Sequence, residues 1–182
     1  MRRVLAYSLA TALALVPAAS AQAANRWIEK DRPLNIAHQG GEDEFPSNTI
    51  YAFRKVLRAG ADMLELDVGV TRDGKVIVMH DTTVDSKTNG HDTVASKTLR
   101  QMKRLDAAYW FAPRAEDHYS HELARRAYRF RGVATGRREP PRGFTAKDFR
   151  VPTLARVLRA FRAPLSTSRS RGARRTRRTR NT

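Results

Sequence analysis

The chain has 182 residues, 41% of them hydrophobic and 29% charged, which suits a single soluble globular domain with an appended segment better than a disordered or membrane-spanning protein. The absence of cysteine excludes disulfides, thiolate nucleophiles and zinc-thiolate sites, so any metal must be held by oxygen or imidazole and any nucleophile must be something other than sulfur. The net charge of +17 is concentrated at the end of the chain, where eight arginines and no acid follow from Arg162 onward.

In chain order, Arg2 and Arg3 precede the apolar run from Val4 to Val16, and small residues follow. This pattern predicts a signal peptide over residues 1–23, with Ala19-Ser20-Ala21 and Ala21-Gln22-Ala23 both fitting small-x-small cleavage. The run is shorter than the roughly 20 apolar residues of a membrane-spanning helix, so we expect export and no stable membrane span.

Pro33 to His38 reads as a short strand broken by Gln39-Gly40-Gly41. Thr49 to Ala59, with Ile50, Phe53, Val56 and Leu57 at helical spacing, predicts a helix capped by Asn48 and stopped by Gly60. Asp62 to Val70 alternates with period two. That places Leu64, Leu66, Val68 and Val70 on one face and Met63, Glu65, Asp67 and Gly69 on the other. At about 3.3 Å per residue the two carboxylates start roughly 7 Å apart, close enough to converge on one ion. Asp73-Gly74 predicts a hairpin turn, and the returning strand Lys75 to Met79 brings His80 and Asp81 back toward the carboxylates.

Strand, helix, strand in this order predicts an α/β architecture with its polar groups at strand ends. Lys97 to Leu105 predicts the start of a helix, and the aromatics Tyr109, Trp110 and Phe111 suit packing. Pro113 to Phe149, rich in charge, proline and glycine, predicts a long loop or small insertion near the site mouth. His91, His118 and His121 have no partner at metal-ligand spacing. Val151 to Phe161 predicts an amphipathic helix with Pro152 in its first turn.

Taken singly, these polar residues have bland readings: Glu65 and Asp67 suit the solvent face of an edge strand, Asp81 a turn and Asn48 a helix cap. Order and spacing together are more specific. The stretches Ile36-Ala37-His38-Gln39-Gly40-Gly41, Pro46-Ser47-Asn48-Thr49, Gly60 to Val68, Thr71-Arg72-Asp73-Gly74 and His80-Asp81 resemble the bacterial glycerophosphodiester phosphodiesterases. Thr88-Asn89-Gly90, Leu105-Asp106 and Val151 to Leu154 continue the resemblance, which covers roughly residues 33 to 161.

The resemblance implies a TIM-type (β/α)8 barrel that hydrolyses glycerophosphodiesters to sn-glycerol 3-phosphate and an alcohol with a divalent ion, Ca²⁺ or Mg²⁺. It implies Glu65 and Asp67 as metal ligands, His38 and His80 as the catalytic acid and base in either order, and position 39 as substrate-binding. Gln39 stands where many members carry a phosphate-binding arginine, and supplies hydrogen bonds without charge. Ser47 replaces a common glutamate and Ser86-Lys87 a common Arg-Thr, changes that look peripheral to the chemistry. After Phe161 the family pattern continues into a strand with another metal-binding glutamate and a lysine, whereas residues 162–182 are rich in Arg, Thr and Ser.

We therefore expect a partial domain over 24–161, the N-terminal part of a barrel that is incomplete in this chain, and a disordered tail consistent with a shifted reading frame. Two alternatives to an active hydrolase are an inactive fragment of that enzyme and unspecific polyanion binding through the tail. A small-molecule substrate is expected and a specific nucleic-acid partner is not.

Overall fold

In a computed structural model of the chain, the structure describes residues 31–113 and 121–161. The predicted signal peptide, the tail and His118 lie outside the described residues. Two compact units divide the chain, Met1–Pro33 and Leu34–Thr182, and every element named here belongs to the second.

Strand β1 (Ile36–Ala37) pairs in parallel with β2 (Met63–Leu64), Ile36 opposite Met63 and Ala37 opposite Leu64. The ladder extends beyond the strands, since Asp62 N donates to Asn35 O at 2.8 Å and Glu65 N to Ala37 O at 3.1 Å. Helix α1 (Ile50–Arg58) makes the crossover between them, as a parallel pair requires. It buries Ile50, Tyr51, Ala52, Phe53 and Val56, the face its apolar spacing dictates. Its N-cap is Thr49, not Asn48: Thr49 Oγ1 accepts from Ala52 N at 3.1 Å and donates to Pro46 O at 2.8 Å. Both residues are capping types, and the left-handed φ of +56° at Asn48 puts its side chain outside capping position.

The single strand expected over residues 62–70 is two. After β2 the chain leaves β1, and β3 (Val68–Val70) pairs antiparallel with β4 (Val76–Val78) through the predicted Asp73-Gly74 turn. In that register Gly69 stands opposite Ile77, and a Cβ on Gly69 would lie 3.3 Å from Val94 Cγ1. The face bearing Gly69 and the fully buried Ile77 is therefore the packed one, and Val68 and Val70 are exposed. Leu64 and Leu66 instead pack toward Ile50, Phe53, Val78 and Val157.

Beyond the hairpin, α2 (Leu99–Met102) is shorter than expected and opens on a capping box of Thr98 and Gln101. The hairpin turn reaches it, because Asp73 Oδ1 accepts from both Thr71 Oγ1 at 2.7 Å and Leu99 N at 2.9 Å. Helix α3 (Leu154–Ala160) is capped by Thr153. Pro152 precedes the cap and its carbonyl accepts from Val78 N at 2.9 Å, so the approach to α3 lies along β4.

The described part of the segment expected to be a long loop or small insertion, residues 121–149, has only short turns but contributes to the core. Phe130, Val133, Ala134 and Phe149 are buried with Tyr51, Trp110 and Phe111, and Tyr51 stacks on Phe149 at 4.6 Å. A turn of 3₁₀ helix at Ala146–Phe149 brings Phe149 into this packing, and so short a turn leaves no helical or strand period in the sequence.

The architecture is α/β. Among the described residues the parallel sheet comprises β1 and β2, one βαβ unit of the type from which (β/α)8 barrels are built, and no helix is long and apolar enough to cross a membrane.

Candidate functional site

The site starts where β1 ends. His38–Gly40 forms a 3₁₀ turn closed by Gly41 N donating to His38 O at 2.7 Å. Gly40 and Gly41 have φ of +77° and +82°, and a Cβ on Gly41 would stand 2.5 Å from Val56 Cγ1. The glycine pair thus lets the turn sit directly on α1. Gln39, at φ +47°, is buried in that turn. Its N–H donates to Glu65 Oε2 at 2.7 Å, and its side-chain Oε1 accepts from Asn48 Nδ2 at 3.3 Å. The His38 ring is largely exposed, with Nδ1 2.9 Å from Glu42 Oε1.

Glu65 and Asp67 flank the point where the chain passes from the parallel pair to the hairpin. Asp67 O accepts from Met79 N at 3.1 Å, which places Asp67 beside the end of β4. Its Oδ2 is buried and has no hydrogen-bond partner. A buried carboxylate oxygen without a donor is costly unless a cation meets it, so this atom fits a hard divalent ion. Among the described residues no group of three or more His, Cys, Asp or Glu is arranged to hold an ion.

His80 follows β4, and its Nδ1 lies 2.7 Å from Asp81 Oδ1. An ionised carboxylate only accepts, so Nδ1 carries the proton and Nε2 is the free position. The Asp81 bond raises the His80 pKa against the effect of burial, and the Asp67 charge adds to the rise. Burial works to raise the Asp81 pKa, but hydrogen bonds from His80 and from Ser86 Oγ outweigh it and the carboxyl is held low.

Two residues that sequence reasoning missed join these parts. Lys87 is buried, with Nζ 4.0 Å from the centre of the Trp110 ring and 3.3 Å from Glu42 Oε2. Burial lowers its pKa, opposed by Glu42. Lys87 and His80 also line one small cavity with Ser47, Asn48, Met79 and Ala107. Ser86 and Lys87 are therefore not peripheral: one holds Asp81 and the other holds Glu42. The spacing of Glu42 four residues after His38 was the available signal, whereas its partner lies 45 residues away.

The structure thus gathers Gln39 with Glu65, His80 with Asp81 near Asp67, and His38 with Glu42 and Lys87. A surface depression of about 420 Å³ is lined by His38 and Glu42 but by none of Glu65, Asp67 and His80. His91 lies 3.6 Å from Asp85 and His121 Nε2 lies 3.0 Å from Ser86 O, both apart from the carboxylate pair. Chemically the arrangement offers two hard oxygen ligands and two imidazoles, each with Nδ1 against a carboxylate.

Comparison with known proteins gives a consistent picture. The model of the glycerophosphoryl diester phosphodiesterase family matches residues 38–171, continuing past Phe161 into the stretch read above as a tail. A glycerophosphodiester phosphodiesterase of Bacillus subtilis (strain 168) is 40% identical over 97 residues, covering 53% of this chain and 33% of the relative. One from Caldanaerobacter subterraneus is 48% identical over 80 residues, covering 44% of this chain and 33% of the relative. Among solved structures, the glycerophosphoryl diester phosphodiesterase domain of a Mycobacterium tuberculosis protein superposes with a TM-score of 0.52 at 27% identity, covering 71% of this chain and 40% of that one. The chain spans about a third of the length of these two curated relatives.

Proposed function

The chain belongs to the glycerophosphoryl diester phosphodiesterase family, and on that premise we propose that it carries a site for hydrolysing glycerophosphodiesters to sn-glycerol 3-phosphate and an alcohol. The observation that carries the reading is the His80–Asp81 pair set beside Asp67, whose buried Oδ2 lacks a partner.

Glu65 and Asp67 would hold a divalent ion, Ca²⁺ or Mg²⁺, which supplies positive charge against the phosphoryl oxygens as negative charge develops there. The rest of the reading concerns the chain's own groups. Asp81 keeps the His80 ring oriented and favours its protonated form, so His80 Nε2 gives a proton to the departing alcohol oxygen. His38 takes the complementary role at its own Nε2, accepting a proton from the attacking hydroxyl as the new P–O bond forms and the bond to the alcohol breaks. Where that hydroxyl is the substrate's own, water then opens the resulting cyclic phosphate to sn-glycerol 3-phosphate with the two histidines in exchanged roles. Gln39 serves the substrate by hydrogen bonding rather than charge, held in place by Asn48 and by its main-chain bond to Glu65. The leader pattern over residues 1–23 supports export as part of this proposal.

A second reading, an inactive relative, draws on the ligand set: two carboxylates among the described residues are fewer than the six or so oxygen ligands such an ion takes, and the remainder would have to come from water or substrate. Release of glycerol 3-phosphate from glycerophosphocholine by the full chain decides between them. Turnover abolished by a chelator and by Glu65→Ala supports the hydrolase. A cooperatively folded chain with no turnover in either Ca²⁺ or Mg²⁺ overturns it.

A further inference from the structure

We propose that Glu42 and Lys87 form a positioning pair for His38: Lys87 anchors the Glu42 carboxylate, and Glu42 fixes the His38 proton on Nδ1, leaving the Nε2 lone pair for the substrate hydroxyl. The proposal rests on the phosphodiesterase reading for its purpose, although the geometry stands without it.

The two oxygens of Glu42 are divided between two partners, Oε1 at 2.9 Å from His38 Nδ1 and Oε2 at 3.3 Å from Lys87 Nζ. The carboxylate can only accept, so a neutral His38 must donate from Nδ1. The imidazole itself is 67% exposed, and little else restrains an exposed ring from rotating or changing tautomer. The Glu42 side chain is only 18% exposed and its second oxygen meets Lys87, which is 8% exposed and seated 4.0 Å over Trp110, itself buried. A charge held against an aromatic face in a dry setting is a stiff anchor, and Lys87 also lines the small cavity it shares with His80. Because Lys87 follows closely on Asp81, the pair also ties the turn bearing His38 to the loop bearing His80. The Nδ1-to-carboxylate arrangement is then the same at both histidines, reached by adjacent residues at His80 and by a 45-residue bridge at His38.

The test uses the full chain with ¹⁵N-labelled histidine, reading the His38 tautomer by imidazole nitrogen shifts alongside steady-state kinetics. In the parent chain His38 is expected in the Nδ1–H form. Lys87→Met and Glu42→Gln are expected to admit the Nε2–H form and to lower kcat on the order of tenfold with little change in KM, while Lys87→Arg keeps the parent tautomer. An unchanged Nδ1–H signal in both Lys87→Met and Glu42→Gln overturns the proposal, as does a loss in Lys87→Arg equal to that in Lys87→Met. Should Lys87→Met fail to fold, Glu42→Gln, whose side chain reaches solvent, decides alone. A parent chain that shows the tautomer but no turnover counts against the phosphodiesterase reading and leaves the pair standing.

Discussion

The main-chain N–H of Gln39 donates to Glu65 Oε2 across 2.7 Å, fastening the turn that carries His38 to the first carboxylate of the proposed ion site. Glu65 is thereby oriented by the protein itself. Asp67 is not: its buried Oδ2 waits without a donor.

That asymmetry predicts an ion-dependent stability. Addition of Ca²⁺ or Mg²⁺ is expected to raise the Tm of the chain, with a gain approaching ~2.7 kcal/mol when the ion reaches a hundred times its Kd. Asp67→Asn is expected to raise the ion-free Tm by relieving the unpartnered buried carboxylate oxygen, and to remove the response to ion. Differential scanning fluorimetry with and without chelator checks both, and an unchanged response in Asp67→Asn would sink the assignment.

The His80–Asp81 pair predicts a stability window in pH. The folded pKa of His80 is raised, so its contribution is complete below the ordinary imidazole value and fades as pH climbs through the raised one. That of Asp81 is lowered, so its contribution is present above the ordinary carboxyl value and fades as pH falls through the lowered one. The pair therefore contributes fully between about pH 4 and 6.5. The Tm difference between the parent and Asp81→Asn should be largest in that window and shrink on both sides. In turnover, Asp81→Asn should move the alkaline limb of kcat/KM to lower pH, because His80 then loses its proton earlier.

Gly41→Ala tests the seating of the His38 turn. A methyl at φ +82° and 2.5 Å from Val56 Cγ1 forces the turn off α1. The expected cost is about 1–3 kcal/mol in a urea titration, with kcat falling further than the loss of folded protein accounts for. Equal activity per folded molecule would mean that the turn does not set the position of His38.

Much of the frame was legible because it is local. The glycine pair, the helical spacing of α1, the Asp73-Gly74 turn and the alternation around Glu65 and Asp67 each follow from residues a few positions apart. The alternation misled only where pairing changed partner: the face bearing Gly69 packs against Val94, and no local pattern says that a glycine face will be the buried one. The choice of Thr49 over Asn48 as cap turned on a single left-handed residue. Glu42 and Lys87 escaped notice because their meeting depends on two loops folding together. Residues 121–149 read as loose because Tyr128, Phe130, Phe144 and Phe149 reach the core from turns without a period, although their aromatic content was the clue.

Asp73 closes its own turn through Thr71 and also holds the first N–H of α2 through Leu99. The tip of the hairpin therefore cannot fray without freeing the first N–H of the helix, so amide exchange at Gly74 and at Leu99 should report one shared opening event. Unfolding begun at either place spreads to the other, and the strand that delivers His80 loses its far end at the same moment.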